Sequence, residues 1–100
     1  MSNAATLNTP TSSHTDPARI ECCMLALVAE RGVGKSICPS DVARNLGGPH
    51  TDGWGPLMQP VRRVAVSLAR QGRLLILRKG VQVDPEDFRG VYRLSAPRID

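Results

Sequence analysis

Long polar side chains gather on one side of a predicted helix that runs from Leu57 to Arg70. At about 100° per residue, the residues of this stretch divide into two opposite faces. The apolar stripe contains Leu57, Val61, Val64 and Leu68, and the opposite face contains Gln59, Arg62, Arg63, Val66 and Arg70. Arginine and glutamine side chains donate paired hydrogen bonds to base edges in the major groove of DNA. One face is therefore predicted to pack, and the other, the basic face, to bind double-stranded DNA.

The distribution of charge supports a negatively charged partner. Thirteen lysines and arginines stand against nine acidic residues, a formal net charge of +4. Between Gly53 and Gly80 there are six basic residues and no acidic one, so nothing within this stretch neutralises the basic face. Outside that face, the residues expected to contact phosphates, which position a protein without reading sequence, are Arg44, Arg78 and Lys79.

An acidic segment counts against DNA binding. From Lys79 to Arg89 the two terminal basic residues are outnumbered by Asp84, Glu86 and Asp87, which leaves a net charge of −1. Such a segment would not lie comfortably along phosphates. Two functions therefore stay open: a DNA-binding module, or a protein–protein interaction or dimerisation module that uses the acidic segment.

Two patterns that suggest catalysis are weak. The segment from Ala29 to Ser36 looks like a relaxed phosphate-binding loop, but such a loop needs a strand before it and a helix directly after it. Here a helix is predicted before it, and Cys38 and Pro39 follow. The acidic residues of the 81–90 loop have no nucleophile at a motif spacing. We expect no enzymatic activity and no cofactor.

The cysteines do not form a metal-binding motif. Cys22 and Cys23 are adjacent, so on a helix their side chains point about 100° apart, and Cys38, His14 and His50 add no recognised ligand spacing. No metal site is predicted, and the thiols are expected to be buried and unreactive. Three cysteines with no apolar leader before them indicate a reducing cytoplasmic setting, and no apolar run is long enough to span a membrane.

The elements that must position these residues follow from turn and cap signals. Residues 1–15 are predicted to be a disordered tail, part of which resembles an expression-vector remnant, residues 16–96 one domain, and 97–100 a short tail. Proline and glycine signals delimit the first two helices, which are predicted from Asp16 to Gly32 and from Pro39 to Gly48.

The remaining chain is predicted to hold one loop, one helix and a hairpin. A loop covers Gly48 to Gly55, with Trp54 packing at the start of the third helix. Strands are expected over Arg73 to Arg78 and Val91 to Leu94, with a projecting loop between them that is too long for a tight turn. A further short strand is possible at Ser36 to Cys38.

This order predicts an α+β, mainly α, winged-helix fold. It comprises a three-helix core followed by a C-terminal two- to three-stranded antiparallel sheet. In that architecture the third helix enters the groove and the loop of the hairpin is the wing.

The chain also resembles a bacterial family catalogued as domain of unknown function 3253. The resemblance rests on three blocks in one order over about residues 17–95. They are Arg31 to Ala43, Trp54 to Arg62, and Leu77 to Leu94. It implies a winged-helix-like fold, no established activity and no catalytic residues, and it makes the glycine-rich segment at Gly34 a connection between the first helix and Cys38.

Overall fold

The computed structural model describes residues 16–97. Five helical segments and four short strands follow one another along this part of the chain. Their bounds are α1 Pro17–Arg31, β1 Ser36–Ile37, α2 Pro39–Gly47, α3 Thr51–Trp54, α4 Met58–Arg70, β2 Leu75–Arg78, β3 Val81–Gln82 and β4 Arg93–Ser95, with one turn of 3₁₀ helix at Gly55–Leu57 between α3 and α4. The predicted tails, residues 1–15 and 97–100, lie outside the described residues except for Pro97.

The first two helices begin and end where their cap signals predict. The Asp16 carboxylate accepts a hydrogen bond from the Ala18 amide at 3.1 Å, and Pro17 occupies the first helical position of α1. At α2 the Asp41 carboxylate reaches back to the Cys38 amide at 3.0 Å. This contact satisfies an amide that the helix leaves unpaired.

The predicted loop before the third helix is instead largely helical. Residues 51–54 form α3, and the 3₁₀ turn carries the chain into α4, which begins at Met58. The new helix lies against the end of α2, because a Cβ atom on Gly47 would lie 2.5 Å from the Gly53 carbonyl oxygen. Two glycines thus let the end of α2 touch α3 directly. The three-helix core of the prediction consists of α1, α2 and α4.

The sheet has four strands in the order β1-β4-β2-β3, and all neighbours are antiparallel. Leu94 of β4 lies between Ile37 of β1 and Ile76 of β2. The possible strand after α1 is confirmed, and the predicted return strand is found slightly later, at Arg93–Ser95. The prediction of two or three strands missed β3.

The chain turns back directly after β2 and forms β3. The prediction of a single long loop after β2, with no tight turn, is therefore wrong. Arg78 pairs with Val81, which leaves a two-residue turn of Lys79 and Gly80. Both turn residues have positive φ, 53° and 81°, as in the hairpin turns whose twist matches that of the strands. The chain then continues as a longer connection, residues 83–92, which we call the wing loop, before it enters β4.

The core lies between the helices and one face of this sheet. From α4 it receives the predicted stripe, Val61, Val64 and Leu68, together with Leu57 just before the helix. From the other elements its largest fully buried side chains are Ile20, Met24, Val42, Leu74, Ile76 and Leu94. Burial of each such side chain stabilises the fold by roughly 1.5–3 kcal/mol, so α4 is held firmly by one face.

The architecture is α+β, mainly helical and winged-helix-like, as the sequence predicts. Trp54 packs partly buried against the core, as expected. Phe88 and Tyr92 are also buried. Among residues 16–97, none of the helices has the length and apolar character that crossing a bilayer requires.

Candidate nucleic-acid interface

The five residues predicted to form the basic face lie together on α4. They line one shallow groove of about 440 Å³ on the side of the helix away from the core. Gln59, Arg63 and Arg70 are exposed, and Arg62 and Val66 are half-buried. The helical spacing thus predicted the grouping of these side chains correctly, although the surroundings of two arginines differ from the expectation.

Arg62 is held by the wing loop. Its Nη2 donates a hydrogen bond to the Phe88 carbonyl oxygen at 2.9 Å, and its guanidinium carbon lies 4.0 Å from the centre of the Phe88 ring. The Tyr92 ring lies 5.7 Å away and packs edge-on against Phe88, with 5.1 Å between ring centroids. Cation–π contact and a charge-assisted hydrogen bond therefore fix a guanidinium that the sequence pattern predicts to contact bases.

Tyr92 is buried beside the contact between Arg62 and Phe88. Its hydroxyl is buried and has no hydrogen-bond partner among the described residues. Burial raises the pKa of Tyr92 to about 12, while the nearby charge of Arg62 acts in the opposite direction. The phenol therefore stays neutral at physiological pH and serves the wing loop as packing.

Arg70 forms an ion pair with Glu86 of the wing loop. Its Nη2 donates to Oε1 at 2.7 Å, and its Nε donates to Oε2. This hydrogen bonding lowers the pKa of Glu86 below its usual range. The sequence has no acidic residue between Gly53 and Gly80, but the fold brings Glu86, sixteen residues after Arg70, to the C-terminal end of α4.

The acidic part of the wing loop is folded back against α4. The Asp84 carboxylate accepts a hydrogen bond from the Glu86 amide at 2.9 Å, and the Asp84 carbonyl accepts one from the Asp87 amide at 3.0 Å. Asp84 thus closes a turn and Glu86 pairs with Arg70. Of the three acidic residues proposed to meet a protein partner, only the exposed Asp87 side chain makes no hydrogen bond or ion pair among the described residues.

The tip of the hairpin is basic. Lys79 is exposed in the two-residue turn. Arg78 lies beside it, and its Nε donates to the Val91 carbonyl oxygen at 2.9 Å. The segment from Lys79 to Arg89 has a net charge of −1, but its charges lie in different places. An acidic turn lies beside Arg70, and a basic tip lies at the far end of β2.

Arg44 of α2 is the remaining predicted phosphate contact. It is exposed, and its guanidinium carbon lies 4.9 Å from the centre of the Trp54 ring. The contact orients the side chain on the surface between α2 and α3 and leaves its donors accessible. The structure thus places basic groups on α2, α4 and the hairpin tip.

The segment that looks like a phosphate-binding loop has the reverse order of elements. Its first residues end α1, its glycines form the connecting turn, and Ser36 begins β1. Within residues 16–97, the His, Cys, Asp and Glu side chains form no group of three or more that could hold a metal ion. Cys22, Cys23 and Cys38 are free thiols. Cys22 is exposed and the other two are half-buried, so the expectation that the thiols are buried is wrong. Partial burial raises the pKa of Cys23.

Comparison with known families gives a match that covers nearly all of the described residues. Residues 17–97 match the family described as Protein of unknown function (DUF3253). The chain belongs to this family. The match runs from the first residue of α1 past the end of β4, so the family's domain includes the basic face, the hairpin and the wing loop. A search of curated proteins gave no match.

Proposed function

We propose that this DUF3253 protein binds double-stranded DNA through the outer face of α4 and acts as a transcriptional regulator. The observation that carries the proposal is the N-terminal half of α4, where Gln59 and Arg63 are exposed while the opposite side of the helix is buried. An α-helix about 10–12 Å across fits the major groove, which is about 12 Å wide.

Each residue of the basic face has a chemical role in this proposal. Gln59 offers an amide that matches adenine, and Arg63 offers a guanidinium that matches the acceptors of guanine. Val66, half-buried between them and Arg70, offers apolar contact to a thymine methyl group. Arg62 contributes its remaining donors while it holds the wing loop.

Phosphate contacts come from elements on either side of α4. Arg44 on α2 and Lys79 at the hairpin tip are exposed, and Arg78 lies next to that tip. These contacts set the position of the protein and carry no sequence information. Because the acidic turn pairs with Arg70, away from the tip, it does not oppose the approach of Lys79 to a phosphate.

The proposal describes a binding protein of the cytoplasm rather than an enzyme. Free thiols at Cys22, Cys23 and Cys38 are consistent with a reducing compartment. The reversed order of helix and strand around the glycine-rich turn gives no support to nucleotide hydrolysis.

A titration of a fluorescein-labelled duplex, followed by fluorescence anisotropy, tests the proposal. With three phosphate contacts, log K should fall with log salt concentration at a slope of about −2.7. We expect Arg63→Glu to weaken binding at least tenfold more than Arg19→Glu, which makes the same charge change at an exposed position of α1. Equal effects of the two variants, or binding insensitive to salt, would contradict the proposal.

A further inference from the structure

The outer face of the sheet carries a groove that no part of the described chain fills. Leu75 and Leu77 alternate along β2 with the buried Ile76, so they project away from the helices. Both are half-buried, and they form the floor of a groove of about 380 Å³ that we call the sheet groove. It extends from the turn after α1 to Gly80 in the β2–β3 turn.

Two arginines converge at one rim of the sheet groove. Arg31 Nε donates to the Ser36 carbonyl oxygen at 3.1 Å, and Arg93 Nη2 donates to the same oxygen at 3.2 Å. Arg93 Nε also donates to the Ser36 hydroxyl at 2.7 Å. The exposed Lys35 precedes Ser36, and its backbone carbonyl accepts a hydrogen bond from the Ser95 hydroxyl at 2.6 Å.

None of the ion pairs among the described residues involves this cluster. The ion pairs found within residues 16–97 are Arg70 with Glu86 and Arg73 with Glu21, and neither involves Arg31, Lys35 or Arg93. Two guanidinium groups on one carbonyl oxygen repel each other, and an anion placed between them would remove that repulsion. The charge of the rim therefore complements a carboxylate or a phosphate.

The apolar floor of the sheet groove favours a carboxylate on a protein over a phosphate of a nucleic acid. Leu75 and Leu77 favour apolar side chains in the groove, which a nucleic-acid backbone does not offer. The sheet also separates this groove from α4, because Ile76 and Leu94 pack toward the helices on the opposite face. A duplex on the basic face would leave the sheet groove accessible.

We infer that the sheet groove binds an acidic segment of a partner protein, whose apolar side chains contact Leu75 and Leu77 and whose carboxylates contact Arg31, Lys35 and Arg93. This surface differs from the acidic turn of the wing loop and has the opposite charge. The contacts of Arg93 with Ser36 join residues 57 positions apart, and no local sequence pattern predicts them.

The test uses the full chain and three labelled eight-residue peptides. One alternates glutamate with leucine, one glutamate with serine and one lysine with leucine. We expect saturable binding of the glutamate–leucine peptide and at least tenfold weaker binding of the other two. Lys35→Glu should weaken the first interaction at least fivefold, while Arg19→Glu, the same charge change on α1, should leave it unchanged. On addition of the glutamate–leucine peptide, the NMR signals that shift should be those of the backbone amides of residues 34–37 and 75–77.

Several results would overturn the inference. The first is the absence of saturable binding of the glutamate–leucine peptide up to about 1 mM. The second is binding of that peptide by the Lys35→Glu variant as tightly as by the unchanged protein. The third is amide shifts on α4 instead of the sheet. Displacement of the peptide by a duplex would make the groove part of a nucleic-acid surface. Contacts from residues 1–15 to Leu75 in the unliganded protein would make the chain itself the occupant. No DNA is needed to observe peptide binding, so the result is independent of the proposed function.

Discussion

Arg62 and Arg63 are neighbours in sequence, but the structure gives them different roles, and alanine substitution separates these roles. Arg62→Ala removes the hydrogen bond to the Phe88 carbonyl and the cation–π contact with its ring. A hydrogen bond with a charged donor contributes roughly 1.5–3 kcal/mol, and a partly desolvated cation–π contact about 1–2 kcal/mol. Because the two share one guanidinium, they do not add fully.

We therefore expect Arg62→Ala to reduce the free energy of unfolding by about 2–3 kcal/mol. For a domain of this size, that corresponds to a fall in Tm of roughly 10–20 °C. Urea and thermal unfolding followed by far-UV circular dichroism measure both quantities. Arg62→Lys should recover only a small part of the loss, since an ammonium cannot reproduce the planar stacking of a guanidinium.

Arg63→Ala is the matched control. Its side chain is exposed, so its effect on stability should stay within about 0.5 kcal/mol. If Arg62→Ala were as mild as Arg63→Ala, Arg62 would not hold the wing loop, and the structural role assigned to its guanidinium would be refuted.

Three further predictions concern the ion pair, the buried phenol and the glycine contact. Glu86→Gln removes the charge paired with the last residue of α4, so duplex binding should strengthen and the salt slope should steepen by about one. Tyr92 is the only tyrosine, and absorbance at 295 nm should report ionisation near pH 12 in the folded protein, against about 10 when unfolded. Because the unfolded phenol ionises first, stability should fall as the pH rises above about 10. Gly47→Ala should cost about 1–3 kcal/mol by overpacking against Gly53.

Controls for these predictions come from neighbouring positions. Asp87→Asn removes the same charge as Glu86→Gln without freeing Arg70, and equal effects of the two on the salt slope would contradict the first prediction. A folded-state tyrosine midpoint near 10 would contradict burial of the phenol. For the glycine contact, a Cβ atom on Gly55 meets its nearest neighbour at an ordinary 3.6 Å, so Gly55→Ala should be nearly neutral, and equal costs would contradict the overpacking argument.

Local signals predicted the helices and the grouping of the basic face. Asp16 and Pro17 fixed the start of α1, and the stripe of Val61, Val64 and Leu68 fixed which side of α4 is buried. Cap chemistry and a 3.6-residue period act within a few residues, so they can be interpreted without knowledge of the rest of the fold.

The differences arise where contacts connect distant parts of the chain. Glu86 meets Arg70 across sixteen residues and Arg93 meets Ser36 across 57, and no spacing rule predicts such pairs. The β2–β3 turn was missed for another reason, because it places Lys79 at positive φ, where asparagine or aspartate would be the stronger signal. The strand that follows has only two residues.

The central claim is that the N-terminal half of α4 meets DNA, and an NMR footprint tests it most directly. A generic duplex would be titrated into ¹⁵N-labelled protein at low salt, with amide and arginine side-chain signals followed. We expect shifts concentrated at Gln59, Arg63 and Lys79, with small changes in β1 and β4. No shifts at low salt, or shifts concentrated on the sheet groove with α4 unaffected, would contradict it.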